Sequence, residues 1–243
     1  MKALILGANG YLGPHVVKAL EGEHELLITD IKPPPSETPH EYRKIDVTNL
    51  DQVMQAAEGM DTILNLSVVR PHRVLAFGVN MMGCYNMMLA AVEHNIRRVI
   101  NTGPHFTITG PPYEGFDFDI RPDVPSQSGI NLYAQSKSLG QEICRLFTEH
   151  HDIWVQEYLF YNFRDPAMLK PGSGGAPFQI SWADAGEIFR LGLAIDLEDL
   201  PSKCEVFCCF GDMPHGKFNN EKTKRILGFQ PKDDLSVQWR RPS

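Results

Sequence analysis

The chain has 243 residues, 42% of them hydrophobic, enough for one compact domain or a domain with a small appendage. A net charge of −7, a pI near 5.7 and no basic cluster larger than Lys222-Thr223-Lys224-Arg225 exclude a nucleic-acid binder. No apolar run reaches bilayer length and no signal sequence precedes the first strand, so the expectation is a cytoplasmic protein without membrane contact.

Lys2 to Leu6 (KALIL) is one buried strand. Gly7, Gly10 and Gly13 follow at once, with Asn9 and Tyr11 between them, and Pro14 with the apolar set Leu12, Val16, Val17 and Leu20 opens a helix. In that context Gly7 permits a tight turn, Gly10 lets the backbone approach a pyrophosphate, and Gly13 lets the helix pack close to the sheet. The free N–H groups at the helix start face the phosphates. A second strand, Glu25 to Thr29, ends in Asp30, 17 residues past Gly13. A carboxylate there accepts from both hydroxyls of an adenosine ribose and repels a 2′-phosphate, and Lys32 is the one close cation, so the reading is NAD over NADP. The loop Lys32 to His40 holds four prolines and is expected to be irregular. Tyr42 to Ile45 reads as a strand, Asn49 to Gly59 as a helix, and Thr62 to Leu66 as a strand with Asn65-Leu66-Ser67 at its carboxyl end. Ligands of open parallel sheets sit beyond such ends.

Val74 to Asn95 is apolar at helical spacing and contains Asn80; its methionines 81, 82, 87 and 88 read as core or interface filler. Arg97 to Thr102 is the next strand, followed by Gly103-Pro104-His105-Phe106-Thr107-Ile108-Thr109-Gly110. Tyr113 to Ser128 reads as an acidic, proline-containing loop over the site. Asn131-Leu132-Tyr133-Ala134-Gln135-Ser136-Lys137 puts Tyr133 and Lys137 on one helix face. A phenol with a pKa near 10 is a poor acid–base at neutral pH, and a neighbouring ammonium lowers it. Ile153 to Tyr161 is a strand ending before Asn162, and Lys170 to Pro177 (KPGSGGAP) is a candidate substrate loop. Ile180 to Asp184 leads into a helix with Asp184 as its cap or first-turn acid. Val206 to Phe210 reads as a strand; the five scattered cysteines, 84, 144, 204, 208 and 209, complete no metal site and read as reduced. Asn219 to Pro231 carries a last helix.

The G-x-x-G-x-x-G turn at 7–13, Tyr133-x-x-x-Lys137 at 120 residues past it, and Leu227-Gly228-Phe229-Gln230-Pro231 resemble the extended short-chain dehydrogenase/reductases, the NAD-dependent epimerase/dehydratase group. The resemblance implies an α/β fold: a Rossmann-type doubly wound parallel sheet. Residues 1–162 would form the NAD-binding core with the Tyr/Lys helix, and 163–243 a small substrate-binding region interleaved with the end of that core. It implies an NAD site built from Gly7, Asn9, Gly10, Tyr11, Leu12, Gly13, Asp30, Leu66, Ser67, Tyr133 and Lys137. Asp46 and Val47 would contact adenine, and Asn162 the nicotinamide or substrate. Asn80 matches an asparagine that holds a water near the catalytic lysine. The family's serine has no clean match: counting back from Gly110 reaches His105, the strand end points to Thr102 or Gly103, and Thr107 lies between.

The implied chemistry is hydride transfer on a hydroxyl carbon of a sugar, sugar acid or small polyol. Tyr133 would be the acid–base, Lys137 its tuner, Thr102 or else His105 the contact to the substrate oxygen, and Asn80 the support of a proton relay. The short length and the Pro104-His105 turn are similar to uronate dehydrogenases, which grip a carboxylate with an arginine. Residues 172–178 hold none, and Lys170 or Arg164 would substitute only in a differently folded loop. Two alternatives stay open. One is a catalytically impaired NAD-binding sensor, favoured by the missing serine. The other is a nucleotide-sugar epimerase or dehydratase, disfavoured by the 81 residues that remain after Asn162. Family members pair through two long helices, so a homodimer through 74–95 and 133–150 is expected.

Overall fold

The computed structural model describes residues 1–34, 37–113 and 118–242, the side chains of 111–113 excepted. Residues 35 and 36 of the proline-rich loop and 114–117 of the acidic loop therefore lie outside the described residues. β1 (Lys2–Leu6) is the third strand of a seven-stranded sheet. Outward on one side lie β2 (Glu25–Asp30) and β3 (Glu41–Lys44). On the other lie β4 (Thr62–Asn65), β5 (Arg98–Pro104), β6 (Trp154–Phe160) and, at the edge, a strand from the last third of the chain. Every pairing is parallel. The strand order reverses between β1 and β4, and the crevice at their carboxyl ends is where such sheets take ligands.

Parallel strands are covered on both faces, and the apolar residues of β1 divide accordingly. Ala3 and Ile5 join Val16 and Leu20 of α1 (Gly13–Leu20) in one core. Leu4 and Leu6 join Val53, Ala56 and Ala57 of α2 (Leu50–Ala57) in the other. Beyond β4 a continuous helical stretch runs as α3 (Arg73–Phe77), a π-helical turn (Gly78–Met82) and α4 (Gly83–Glu93). Over 21 residues it is long and apolar enough to cross a bilayer, against the sequence expectation that no run is. Half of its most apolar window is buried in the fold, where Met87, Met88, Ala90 and Ala91 fill the second core. That packing accounts for the apolarity.

After β5 the expected serine-type turn is instead helical. α5 (Phe106–Tyr113) is broken at Gly110, whose φ of +59° places it in the left-handed region. A Cβ there would overlap the Gln127 carbonyl, so the following segment closes tightly over this turn. α6 (Leu132–His150) starts at Asn131, whose side chain accepts from the Ala134 N–H at 3.0 Å.

Beyond β6, β7 (Asn162–Arg164) and β8 (Gln179–Ser181) form a separate parallel pair. α7 (Trp182–Ala194) packs on the first core, capped by Ser181 with Asp184 in its first turn. β9 (Cys204–Cys208) is the last strand of the main sheet, two residues earlier than expected. α8 (Glu221–Leu227) ends at Gly228, φ +69°, and drops Phe229 into the core. All five cysteines are free, and no metal-binding cluster occurs among the described residues.

Candidate active site

The glycine turn is tightly built on two sides and open on the third. Gly7, φ +78°, receives support from Thr29, whose carbonyl accepts from the Gly7 and Ala8 N–H groups at 2.9 Å each. A Cβ on Gly7 would come within 2.7 Å of the Ser67 backbone, and one on Gly13 would overlap the Ala8 carbonyl. A Cβ on Gly10 would meet only the Gly7 oxygen, at 3.4 Å. α1 begins at Leu12 without a side-chain cap and with no acid in its first turn. Its first N–H groups and positive dipole end are left for an anion. Asp30 stands at the end of β2 with each carboxylate oxygen accepting one backbone N–H, from Asn9 and Lys32, both at 3.1 Å. Each oxygen keeps capacity for a ribose hydroxyl. Tyr11 is exposed and Leu12 packs on the first core. Farther along the same edge, Asp46 is exposed and holds Thr48 through its N–H and hydroxyl at 2.9 and 2.8 Å. Val47 is buried against Gly83.

Lys137 is fully buried on α6, and its ammonium donates to the Ser67 carbonyl at 2.9 Å and the Thr102 carbonyl at 2.8 Å. Those carbonyls belong to the carboxyl ends of two neighbouring strands, so the lysine links α6 to the crevice. Burial lowers its pKa, and the nearby Cys84 and Glu157 oppose that change. Tyr133, one turn earlier, is half-buried. Burial raises its phenol pKa, while the charge of Arg70 and its contact with the phenol pull it down.

The three candidates for the serine's place are all engaged. The Thr102 hydroxyl donates to the Asn65 carbonyl at 2.8 Å, and the Thr107 hydroxyl to the Pro104 carbonyl at 3.0 Å. His105 is sealed among Phe106, Tyr161, Phe178 and Phe218, with ring centres 4.2 to 5.1 Å away. Asn80, in the π-helical turn, is also fully occupied. Its amide accepts from the Val69 N–H at 3.1 Å and donates to the Val69 carbonyl at 2.7 Å and to Ser136 at 2.9 Å. Asn162 stands at the start of β7, with its N–H 3.3 Å from the Phe178 carbonyl. Arg164 and Lys170 share the wall of a cavity of about 420 Å³, and Arg164 donates to Gln179 at 2.6 Å.

Two residues of this region escaped the sequence reading. Glu157 lies in the middle of β6, fully buried, and accepts from the Asn101 amide at 2.9 and 3.2 Å. Asn101 accepts from Asn65 at 2.9 Å, and Asn65 accepts from the Ser67 N–H and hydroxyl at 3.1 and 2.5 Å. A polar chain thus runs through the sheet to the residue whose carbonyl holds Lys137. Burial pushes the Glu157 carboxyl up to about 7, with Asn101 and Lys137 opposing. The visible signal was an acid inside the apolar run WVQEYLF. The second residue is Arg70, whose guanidinium carbon lies 5.4 Å from the Tyr133 ring centre. Its signal was a cation just past the carboxyl end of β4.

Known proteins resemble this chain in sequence and in fold. A curated NAD-dependent glucose-6-phosphate dehydrogenase of Haloferax volcanii is 22% identical over 95% of this chain and 93% of its own length. A uronate dehydrogenase of Pseudomonas putida is 28% identical, over 63% of this chain and 57% of that one. The crystal structure of uronate dehydrogenase from Agrobacterium tumefaciens superposes with a TM-score of 0.79 at 22% identity, covering 96% of this chain and 84% of that one. Residues 3–158 match the family model, more than half of the chain, and the protein belongs to the NAD dependent epimerase/dehydratase family.

Proposed function

We propose that this protein oxidises a hydroxyl carbon of a free sugar, sugar acid or similar small polyol with NAD. The observation that carries the reading is the placement of Lys137. It binds the Ser67 carbonyl at 2.9 Å, and the same Ser67 backbone closes against Gly7. The acid–base helix and the glycine turn therefore meet at one residue. NAD fits the surroundings: an uncapped helix start, open space at Gly10, and Asp30 at the end of β2. Gly7, Asn9, Gly10, Tyr11, Leu12 and Gly13 would hold the pyrophosphate, Asp30 the adenosine ribose, and Asp46 with Val47 the adenine. Leu66, Ser67 and Asn162 would flank the nicotinamide end.

When bound, NAD supplies the hydride acceptor. Tyr133 takes the proton of the substrate hydroxyl as the carbon gives up its hydride. Arg70 and Lys137 favour the phenolate that accepts this proton. Two of the three N–H groups of Lys137 go to carbonyls, which leaves the third to orient a ribose hydroxyl. The relatives named for glucose 6-phosphate and uronate support a substrate without a nucleotide. The protein would work in the cytoplasm as a homodimer. Exposed Met82 and Tyr85 on the π-turn and α4, and Leu139 and Leu146 on α6, supply the apolar contact.

One observation favours a second reading, an NAD-binding sensor: the hydroxyl protons of Thr102 and Thr107 are both given to backbone carbonyls, not left to donate to a substrate oxygen. Titration with NAD and NADP separates the two, followed by absorbance of reduced nicotinamide with a panel of sugars, sugar acids and alcohols. Reduction of NAD by one class establishes the dehydrogenase. Binding of NAD with no reduction by any member supports the sensor, and binding of neither nucleotide refutes both.

A further inference from the structure

Arg70 lies five residues past the end of β4, on the carboxyl edge of the sheet, over the ring of the proposed acid–base. The segment that carries it is held on both sides. The buried Asn80 amide binds both the N–H and the carbonyl of Val69, the residue next to Arg70. Beyond it, His72 caps α3 by accepting from the Leu75 N–H at 3.2 Å. Asn80 also donates to Ser136, three residues along α6 from Tyr133. One buried amide therefore ties the Arg70 segment to the helix that carries the phenol, and the backbone that aims Arg70 is fixed before any substrate arrives.

The guanidinium itself is exposed, and no ion pair to it occurs among the described residues. In a chain with seven more acids than bases that is selective placement. The described acids of the segment before α6 are engaged elsewhere: Asp119 with Arg121 at 2.8 Å and Asn219 at 2.7 Å, and Asp123 with Lys222. The charge that bears on the Tyr133 phenol is positive, that of Arg70. A planar guanidinium that touches the Tyr133 phenol and pairs with no acid keeps donors for a carboxylate or phosphate, and a neutral hydroxyl gains far less from them.

We propose that Arg70 is the specificity-determining residue of this site and that it selects substrates carrying an anionic substituent, carboxylate or phosphate. The inference rests on the dehydrogenase reading and deepens it. Charge-assisted bonds of this kind contribute roughly ten- to hundred-fold in affinity.

The experiment compares NAD reduction with glucuronate, glucose 6-phosphate and glucose in the wild type, Arg70→Gln and Arg70→Lys. The wild type is expected to favour one of the two anionic sugars over glucose by at least about tenfold in kcat/KM. The preferred anion tells carboxylate from phosphate. Arg70→Gln should collapse that ratio by about tenfold or more, mainly through KM, and Arg70→Lys should restore part of it. An unchanged ratio in Arg70→Gln overturns the proposal, as does a wild type that prefers glucose. So does a ratio that collapses only when Arg164 or Lys170 is replaced. If no sugar reduces NAD, the dehydrogenase reading fails separately, and calorimetry in the presence of NAD decides the inference. Glucuronate or glucose 6-phosphate binding to the wild type and weakened in Arg70→Gln upholds it; equal or absent binding in both proteins sinks it.

Discussion

Replacing Glu157 with Gln tests the buried polar chain that leads to the active site. The carboxyl is 1% exposed, and burial raises it from 4.5 to about 7. A raised acid favours the folded state while it is protonated, so its contribution is fully present below pH 4.5 and is lost as pH rises through 7. The shift of 7 − 4.5 at 1.36 kcal/mol per unit gives about 3 kcal/mol. Gln keeps an oxygen to accept from the Asn101 amide at 2.9 Å and cannot ionise. Urea unfolding, followed by tryptophan fluorescence from pH 4.5 to 8, measures both proteins. The stability of the wild type minus that of Glu157→Gln should fall by about 3 kcal/mol across the range, most steeply between pH 5 and 7. A difference that stays flat would mean that Glu157 does not titrate between those values, and the burial argument would be wrong.

Three further outcomes follow from the site. Tyr133→Phe should lower turnover by about a thousandfold and leave NAD affinity within a factor of a few, read by steady-state rates and NAD titration; retained turnover would remove Tyr133 from its role. Gly13→Ala overlaps the Ala8 carbonyl and should cost about 3 kcal/mol in urea unfolding, whereas Gly10→Ala meets only the Gly7 oxygen and should leave stability nearly unchanged while weakening NAD about tenfold or more. If both alanines act alike on stability, the packing account of the turn fails. Thr102→Val removes the bond to the Asn65 carbonyl and should cost about 1 kcal/mol with kcat within a few-fold; a loss near a hundredfold would make the hydroxyl a substrate contact.

The sheet was legible because its inner strands β1, β2 and β4 are apolar on both faces and the glycines follow the first strand directly. The structure places Gly7 in the left-handed region and packs Gly13 onto Ala8, as the spacing requires. Strand ends moved by a residue or two, since hydrogen bonding and not hydropathy sets them. α5 was not legible. Its sequence FTITGPPY holds two prolines and a glycine, and the helix persists because the segment after it closes on Gly110 and Thr107. The occupation of the Thr102, Thr107 and Asn80 side chains was equally hidden, because each partner is a backbone group or a serine brought close only by the fold. Glu157 was visible as an acid inside a buried strand, and its partner Asn101 lies 56 residues away.

The site gathers opposite requirements into neighbouring layers. A phenol that is half-buried resists ionising, and the fully buried lysine one turn along the same helix resists staying charged. Each burial alone works against a phenolate–ammonium pair. The structure offsets both from two sides. Arg70 lies over the phenol from the solvent side, and the carbonyls of Ser67 and Thr102 receive the ammonium from the sheet side. Glu157 adds a carboxyl below that layer whose charge depends on pH near neutrality. Its ionisation favours a charged Lys137, so loss of Glu157 should lower turnover most at pH values above 7, where the wild-type carboxylate is present. The same change that makes the protein more stable at high pH is therefore expected to make the proposed acid–base pair less effective there, and the two effects are separable by measuring unfolding and turnover across one pH series.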